Sequence, residues 1–341
     1  MVPSVECQIY NGFIIKSEFS LRFIFKLVCS LLLLFIIIAI IFFSINRVPD
    51  RSVEQLKPQW AQHPSQFIDI SGMQLHLRDE GPRDDAIPIV LLHGTSSSLH
   101  TWDGWVNALK DDRRVIRFDL PAFGLTGPTL DNNYSIENYS RIVIEVLDKL
   151  KVDRAILVGN SLGGYVSWAT AVFYPDRVAQ LVLIDSSGYP FQAESIPIGF
   201  RIASTPILNK LMQQVLPRGL VESSVKNVYG NPDLVSPELV DRYFDLTTRA
   251  GNRQALADLL PKLRSGQLVS RLSELKLPTL IIWGEQDRLI PPEIADQFHH
   301  DIIGSQLVRY NELGHVPQEE DPLKTVKAFK AFLAQQPKVN R

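Results

Sequence analysis

The residues of this chain best suited to chemistry lie at 159–164, a segment that reads GNSLGG and has Ser161 at its centre. The apolar run 155–158 precedes it, and the ten residues after it contain neither glycine nor proline. A strand, a sharp turn and a helix in this order form a nucleophile elbow, whose strained serine requires small neighbours such as Gly159 and Gly163. The segment predicts a catalytic serine at Ser161. The alternative is an ordinary strand-to-helix turn.

A serine hydroxyl is a weak nucleophile at neutral pH, so the chain must also supply a general base and an acid that orients the base. His315 is the candidate base, because it follows Gly314 just after the last strand-like run. The other histidines are expected to be structural or solvated: His63, His76, His93, His100, His299 and His300.

Two carboxylates follow strand-like runs, where an open parallel sheet presents its catalytic groups. Asp287 follows LPTLIIW in a loop with a glycine and a proline pair, whereas Asp185 directly follows LVLI. We favour Asp287 as the acid, because its turn and proline pair are typical of this motif, and we keep Asp185 as the alternative. Asp119, in FDLPAFG, is expected to organise a loop near the site.

The negative charge of a tetrahedral intermediate needs backbone donors. We expect one N–H from Leu162, directly after the serine, and a second from Thr95 in LLHGTSSS, where Gly94 allows close approach. His93 would support this loop. A metal site competes for the same residue types, but no HExxH or clustered ligand pattern occurs. We expect neither a metal nor a cofactor.

The elements that must position these residues are short apolar runs separated by amphipathic stretches. This alternation predicts an alpha/beta fold over residues 67–338, with a mostly parallel, doubly wound sheet. Strand signals disappear at about 190–276, where helical patterns dominate, and we interpret this insertion as a cap over the site. The alternative is a helical decoration elsewhere.

A helix is expected to close the domain over 321–333. Asp321 can cap it and Pro322 suits its first turn. The residues expected to share its buried face are Leu323, Val326, Phe329 and Phe332.

Residues 27–45 carry no charge and are numerous enough to cross the hydrocarbon core of a bilayer. We interpret them as an uncleaved signal anchor, with 1–26 as an N-terminal tail and 46–66, which contains several prolines, as a linker. A cleaved signal peptide is the alternative, but the segment SINRVPD offers no small-x-small cleavage site.

The basic residues that flank the anchor are balanced. They are Lys16, Arg22 and Lys26 before it, and Arg47, Arg51 and Lys57 after it. Charge therefore does not decide the orientation. We expect a cytoplasmic N-terminus, because this requires no translocation of the charged leader and places the large domain on the non-cytoplasmic side.

The composition of the chain limits the kinds of molecule that it is expected to bind. The 341 residues carry a formal net charge of −2, which gives no basic field for nucleic acid. The two cysteines, Cys7 and Cys29, lie before or within the apolar segment, so the rest of the chain can form no disulfide. The expected partners are a small-molecule ester or related acyl substrate and, through 27–45, a lipid bilayer.

Over about residues 65–335 the chain resembles the alpha/beta-hydrolase superfamily. The matching motifs are HGTSSSLHTW from His93, DLPAFGLT from Asp119, GNSLGG from Gly159, GEQDRLIPP from Gly284 and GHVPQEEDP from Gly314. The resemblance implies a hydrolase fold with a helical cap and a mechanism without cofactors. It carries catalytic roles onto Ser161, Asp287 and His315, and oxyanion roles onto Thr95 and Leu162.

Epoxide hydrolases and haloalkane dehalogenases of this superfamily use an aspartate where this chain has Ser161, which favours acyl chemistry. The motifs are similar to those of capped carboxylesterases or lipases and of hydrolases that cleave carbon–carbon bonds in diketone products. We expect ester hydrolysis through an acyl-enzyme. Cleavage of a carbon–carbon bond, amide, lactone or thioester is the catalytic alternative. A ligand-binding receptor with this fold and a membrane-tethered structural protein are the non-enzymatic alternatives.

Overall fold

The computed structural model describes residues 6–205, 208–210, 213–263 and 265–335, with side chains from residue 22 onward. The chain forms two compact units that meet between Arg47 and Val48. The first contains a single helix, α1 (Glu6–Asn46), so residues 6–26 of the predicted tail continue the helix of the predicted anchor. Its segment Arg22–Asn46 is long and apolar enough to cross a membrane. Residues 1–5 and 336–338 of the predicted boundaries lie outside the described residues.

The second unit is built on one eight-stranded sheet. Its strands are β1 Gln66–Ile70, β2 Met73–Glu80, β3 Ile89–Leu92, β4 Val115–Phe118, β5 Ala155–Asn160, β6 Val178–Ile184, β7 Thr279–Gly284 and β8 Gln306–Tyr310. The order across the sheet is β1-β2-β4-β3-β5-β6-β7-β8. β2 runs antiparallel to its neighbours β1 and β4, and β3 to β8 are parallel. The predicted alpha/beta fold is confirmed.

Helices cover both faces of this sheet. They include α3 Asp103–Leu109, α4 Ile136–Lys149, α5 Leu162–Phe173, α10 Glu293–Asp301, α11 Pro317–Glu320 and α12 Pro322–Ala334. Side chains alternate between the two faces of a strand. Val90 and Leu92 of β3 therefore join the core under α4, α5 and α10, whereas Ile89 and Leu91 join the core under α3 and α12. Both faces are buried, which explains the wholly apolar run of β3.

The closing helix α12 begins as expected, since Asp321 accepts a hydrogen bond from the Lys324 N–H at 3.0 Å. Val326, Phe329 and Phe332 are buried, but the expectation for Leu323 is wrong because its side chain is 72% exposed. Successive residues turn by about 100° in an α-helix, so a side chain three positions further along points about 60° away from the first one. Leu323 therefore lies about half a turn away from Phe332.

The insertion between β6 and β7 contains α6 Ile198–Ala203, α7 Arg218–Val228, α8 Pro237–Thr247 and α9 Asn252–Leu259. It has a small apolar core of its own, in which Val221, Val225 and Tyr229 pack with Val240 and with Val316 of the hydrolase core. We call residues 190–276 the cap.

Residues 48–66 do not form the free linker that the prolines suggested. They contain α2 (Val53–Trp60), whose Leu56 is fully buried and packs with Leu125 and Leu246. Trp60 Nε1 donates to Asp245 at 3.0 Å. Leu56 and Trp60 thus fix this segment to the cap and to the loop after β4, an outcome that its proline content alone does not reveal.

Candidate active site

The serine of the GNSLGG segment occupies a strained turn. β5 ends at Asn160, α5 begins at Leu162, and Ser161 between them has φ 54° and ψ −116°. Positive φ is uncommon for a residue other than glycine and marks a backbone that its surroundings hold in place. A Cβ atom at Gly159 would lie 2.1 Å from the Gly163 oxygen, and one at Gly163 would lie 2.1 Å from the Leu92 oxygen. The elbow therefore requires glycine at both positions.

The predicted acid and base are hydrogen-bonded to each other. His315 Nδ1 lies 2.7 Å from Asp287 Oδ2, and both side chains are buried. The other carboxylate oxygen, Oδ1, accepts the N–H groups of Leu289 and Ile290 at 2.8 and 2.9 Å. Three N–H donors therefore fix this carboxylate, and the carboxylate in turn orients the imidazole ring.

Asp185, the alternative acid, has a different role. Its Oδ1 accepts the N–H of Gly284 at 3.0 Å, at the end of β7. The hydrogen bond to His315 is made by Asp287 instead. The geometry thus favours Asp287 as the acid and places Asp185 behind it.

Ser161 and His315 border one cavity of about 130 Å³ together with Gly94 and Thr95. Among the described residues no hydrogen bond joins the Ser161 hydroxyl to the His315 ring. Catalytic hydrogen bonds are often long before substrate binds. The backbone of the histidine is fixed, since its N–H donates to the Val228 oxygen at 2.8 Å and its carbonyl accepts from Asn160 Nδ2 at 2.9 Å.

The loop after β3 lies directly over the elbow. A Cβ atom at Gly94 would be 3.1 Å from the Ser161 Cβ. His93 supports this loop, because its Nδ1 lies 2.7 Å from the Gly94 oxygen and its Nε2 accepts the Leu120 N–H at 2.9 Å. Burial lowers the pKa of His93. The ring is therefore neutral at pH 7, with its proton on Nδ1.

Asp119 organises the neighbouring loop. Its carboxylate accepts the N–H groups of Leu99 and Leu125 at 2.8 and 2.7 Å, and it lies 2.7 Å from His76 Nδ1. Burial by itself would raise the pKa of this carboxyl, but the His76 ring, together with His93 and His100, outweighs burial and the pKa is lowered. This cluster explains why His76 is fully buried without taking part in the site.

Glu320 is a positioning group that the sequence did not single out. Its carboxylate accepts the N–H groups of Gly314 at 2.9 Å, Gly230 at 3.0 Å and Asn231 at 2.8 Å. It therefore joins the loop of His315 to the cap. Its place in GHVPQEEDP, close after the histidine, was the only available signal.

Tyr243 of the cap was also missed. Its hydroxyl donates to Glu319 Oε2 at 2.9 Å and lies 3.4 Å from the Ser97 Oγ of the loop after β3. Glu319 also pairs with Arg242. A tyrosine in a helical insertion gives no sequence signal for such a contact, because the contact depends on how the cap packs.

The ligand atoms of Asp185, Asp287 and His315 lie within 4.8 Å of one another, which is close enough to consider a metal ion. Atoms of Asp287 and His315 that could bind a metal are instead used in hydrogen bonds. The Asp287–His315 bond uses Nδ1 and Oδ2, and two backbone N–H groups occupy Oδ1. The arrangement therefore suits an acid that orients a base.

The cavity above Ser161 is mainly apolar. Its walls include side chains from the cap and from the loop of Asp287: Leu216, Leu220, Val221, Val225, Val228, Leu256 and Leu289. The charged side chain on this wall is Arg253, which pairs with Asp50. The site can therefore hold an apolar group next to a serine hydroxyl.

Fold and site together define an alpha/beta enzyme of the hydrolase class. The family model described as alpha/beta hydrolase fold matches residues 87–322. The chain belongs to this family, which confirms the resemblance drawn from its motifs.

Two relatives illustrate the range within the family. An uncharacterised hydrolase of Bacillus subtilis is 31% identical over 244 residues, which cover 69% of this chain and 85% of that protein. A 2-hydroxy-6-oxo-2,4-heptadienoate hydrolase of Pseudomonas putida is 30% identical over 275 residues, which cover 77% of this chain and 94% of that protein.

Among solved structures, a membrane phospholipase A described as a bacterial virulence factor has a TM-score of 0.69 at 21% identity, over 93% of this chain and 98% of that chain. A meta-cleavage product hydrolase of Pseudomonas fluorescens has a TM-score of 0.68 at 24% identity, over 79% of this chain and 97% of that chain. At these identities both show the fold.

Replacing Gly163 by alanine tests the close packing of the elbow. The added Cβ would meet the backbone of β3 at 2.1 Å, so α5 or β3 has to move. We expect the free energy of unfolding to fall by about 3 kcal/mol, at the upper end of overpacking effects. Urea denaturation of the full chain in detergent measures this change.

Gly219→Ala is the matched control, because a Cβ there has nothing within 4 Å. It lies in the helix α7, so its stability should stay equal or rise by up to about 1 kcal/mol. Equal stability of the two variants would contradict the close contact.

Proposed function

We propose that this protein is a membrane-anchored serine hydrolase that cleaves carboxylic esters. Ser161 is the nucleophile, His315 the general base and Asp287 the acid that orients it. The observation that carries the proposal is the apolar cavity into which Ser161 and His315 both open, with the 2.7 Å Asp287–His315 bond behind it.

In the first step His315 takes the proton of Ser161 as the oxygen attacks the ester carbonyl. The imidazolium that forms is stabilised by the Asp287 carboxylate and then gives its proton to the departing alcohol. This leaves an acyl group on Ser161. In the second step water, deprotonated by His315, attacks the acyl carbonyl. The bond between the acyl carbon and the Ser161 oxygen then breaks, His315 returns the proton to that oxygen, and the acid is released.

The oxyanion of each tetrahedral intermediate would be held by the N–H groups of Thr95 and Leu162. Thr95 borders the cavity, and Leu162 is the first residue of α5. The start of a helix also contributes partial positive charge, since its first N–H groups lack partners within the helix. Such donors contribute about 3 to 4 kcal/mol of transition-state stabilisation each in well-studied hydrolases.

The cavity wall supports a substrate with a neutral, apolar acyl group. Leucine and valine side chains from α7 and α9 would exclude water from the acyl chain. Burial of each methylene group contributes about 0.8 kcal/mol, so longer acyl chains should bind more tightly until they fill the cavity.

Ser161→Ala tests the serine mechanism. We expect hydrolysis of short p-nitrophenyl esters to fall by on the order of 10⁴-fold or more, since the nucleophile is lost. Ser204→Ala, at an exposed cap position, is the control and should keep its activity. A fluorophosphonate probe should label Ser161 in the unmodified protein, as located by mass spectrometry.

Ester hydrolysis that survives in Ser161→Ala would overturn the serine mechanism. Labelling of Ser161 without multiple turnover on any of these p-nitrophenyl esters would instead support a ligand-binding protein with this fold.

The membrane part of the proposal is supported by the length and apolarity of Arg22–Asn46. We expect the full chain to remain in the membrane pellet after alkaline carbonate washing. Replacing Ile36 and Ile37 together by arginine should release a large fraction, because each central arginine costs about 2.5 to 3.5 kcal/mol. The double leucine variant at these positions is the control and should stay in the pellet.

For orientation we propose a cytoplasmic N-terminus, with the hydrolase domain on the other side. Protease added outside intact cells should then digest the domain. Digestion only after the cytoplasmic face is exposed would reverse the orientation.

Carbon–carbon bond cleavage is the second candidate. The Pseudomonas putida relative is a 2-hydroxy-6-oxo-2,4-heptadienoate hydrolase, and a dienoate carries a carboxylate that needs a positive partner. Arg253 lies on the cavity wall with its side chain 6% exposed, but Asp50 pairs with it at 2.5 Å. This internal counter-ion supports preference for a neutral substrate.

Asp50→Asn tests this preference. With the Asp50 charge removed, Arg253 should attract substrate carboxylates more strongly, so kcat/KM for an aryl monosuccinate relative to an aryl butyrate should rise about tenfold, or about 1.4 kcal/mol. Glu54→Gln, which removes a charge from the same segment, is the control and should leave the ratio unchanged. An unchanged ratio in folded Asp50→Asn would exclude this role of the ion pair.

A further inference from the structure

We propose that Asp185 is a positioning residue of the active site, a neutral carboxylic acid that donates a hydrogen bond to Asp287. The inference deepens the proposed function and rests on it, because Asp287 orients His315. Asp185 is not one of the described residues that line the cavity. It acts on the reaction only through the carboxylate in front of it.

The backbone fixes Asp185 at the edge of the sheet. It directly follows β6, its N–H donates to the Ile282 oxygen of β7 at 3.0 Å, and its φ is 43°. Its Oδ1 accepts the Gly284 N–H at 3.0 Å. Gly284 is the last residue of β7, so this bond also fixes the start of the loop that carries Asp287.

The second oxygen of Asp185 has no such donor. Oδ2 is buried, and no described residue donates a hydrogen bond to it. An ionised oxygen in that state would lose its hydration without replacement, which is unfavourable. A proton on Oδ2 removes this cost, provided that the resulting O–H finds an acceptor.

The carboxylate next to Asp185 is that of Asp287. Ligand atoms of Asp185, Asp287 and His315 lie within 4.8 Å of one another. Asp287 Oδ1 already accepts two backbone N–H groups, while the hydrogen bond to Oδ2 from the part of the chain that the structure describes comes from His315 Nδ1. A carboxylate oxygen has two lone pairs, so Oδ2 can take a second hydrogen bond.

The charged groups around Asp185 favour its neutral form. Asp287 faces it from the loop after β7 and Glu320 from α11, and both are acidic. His315 lies behind Asp287. Burial is the main cause that raises the pKa of Asp185 well above its usual range, and the nearby Asp287 carboxylate is the second. Two adjacent carboxyl groups without a cation between them hold one charge far more easily than two.

The proposed hydrogen bond from Asp185 sets how strongly the Asp287 carboxylate attracts the proton on His315 Nδ1. A neutral donor draws electron density from the Asp287 oxygen and makes it a weaker acceptor for His315 Nδ1–H. A second negative charge at Asp185 would do the opposite and stabilise the imidazolium. Asp185 therefore weakens the stabilisation that the Asp287 carboxylate gives to a protonated His315 ring.

The pH dependence of ester kcat/KM tests the proposal in two variants. Asp185→Asn keeps a neutral donor for Asp287 and an acceptor for Gly284, so its acidic limb should lie within about 0.3 pH unit of the unmodified enzyme. Asp185→Ala loses the donor, and its acidic limb should move upward by about 0.5 to 1 unit, with a lower kcat.

A downward move of the limb by one unit or more in Asp185→Asn would show that the native residue is charged, and would overturn the proposal. Identical limbs in Asp185→Asn and Asp185→Ala would also overturn it, because the hydrogen bond would then have no effect.

A second measurement does not depend on enzyme turnover. It keeps the proposal testable if the alanine variant does not fold, and it separates this proposal from the ester mechanism. The proton on His315 Nδ1 can be followed by proton NMR in the full chain in detergent, and assigned by its loss in His315→Ala. Its titration in Asp185→Asn should match that of the unmodified protein. A midpoint lowered by one unit or more contradicts the proposal, even if Ser161→Ala has already excluded ester hydrolysis.

Discussion

The close approach between the first turn of α5 and the end of β3 is the contact on which the site depends. The missing side chain at Gly163 lets the helix lie against the Leu92 carbonyl, and this forces Ser161 into positive φ. The serine then stands at the edge of the sheet where β3, β5, β6 and β7 end. Because these strands are parallel, the loops after them converge on the same edge. The positions of Thr95, Asp185 and Asp287 follow from that geometry.

Hydrogen bonds to backbone groups hold this edge together. Asn160 ties the elbow to the His315 carbonyl, Asp185 fixes the end of β7, and Asp119 fixes two turns of the neighbouring loops. Each of these side chains is buried, so each bond replaces hydration that folding removes. The groups proposed to be catalytic thus rest on a layer of polar residues that contact backbone. Such a layer keeps reacting groups within the small tolerances that catalysis requires.

The sequence was informative wherever a motif carries its own geometry. The elbow glycines, the Asp287 turn and the histidine after the last strand are local patterns, and the structure brings Asp287 and His315 into contact and opens Ser161 and His315 onto one cavity. The roles of Glu320, Tyr243 and Asp50 depend on how distant segments pack, so no local pattern reveals them. The prolines of residues 46–66 suggest a linker for the same reason, because the packing of Leu56 against the distant Leu125 and Leu246 leaves no local pattern. The sequence alone does not decide whether Asp185 or Asp287 orients the histidine, and the hydrogen bond between Asp287 and His315 is what favours Asp287.

Glu320 has a consequence for any motion of the cap. One carboxylate holds N–H groups from Gly314, beside the base, and from Gly230 and Asn231 of the cap, while the His315 N–H donates to Val228 at the end of α7. Lifting residues 228–231 would therefore strip partners from the histidine loop at the same moment. The backbone around His315 and this part of the cap therefore share their hydrogen-bond partners, so one cannot shift without disturbing the other.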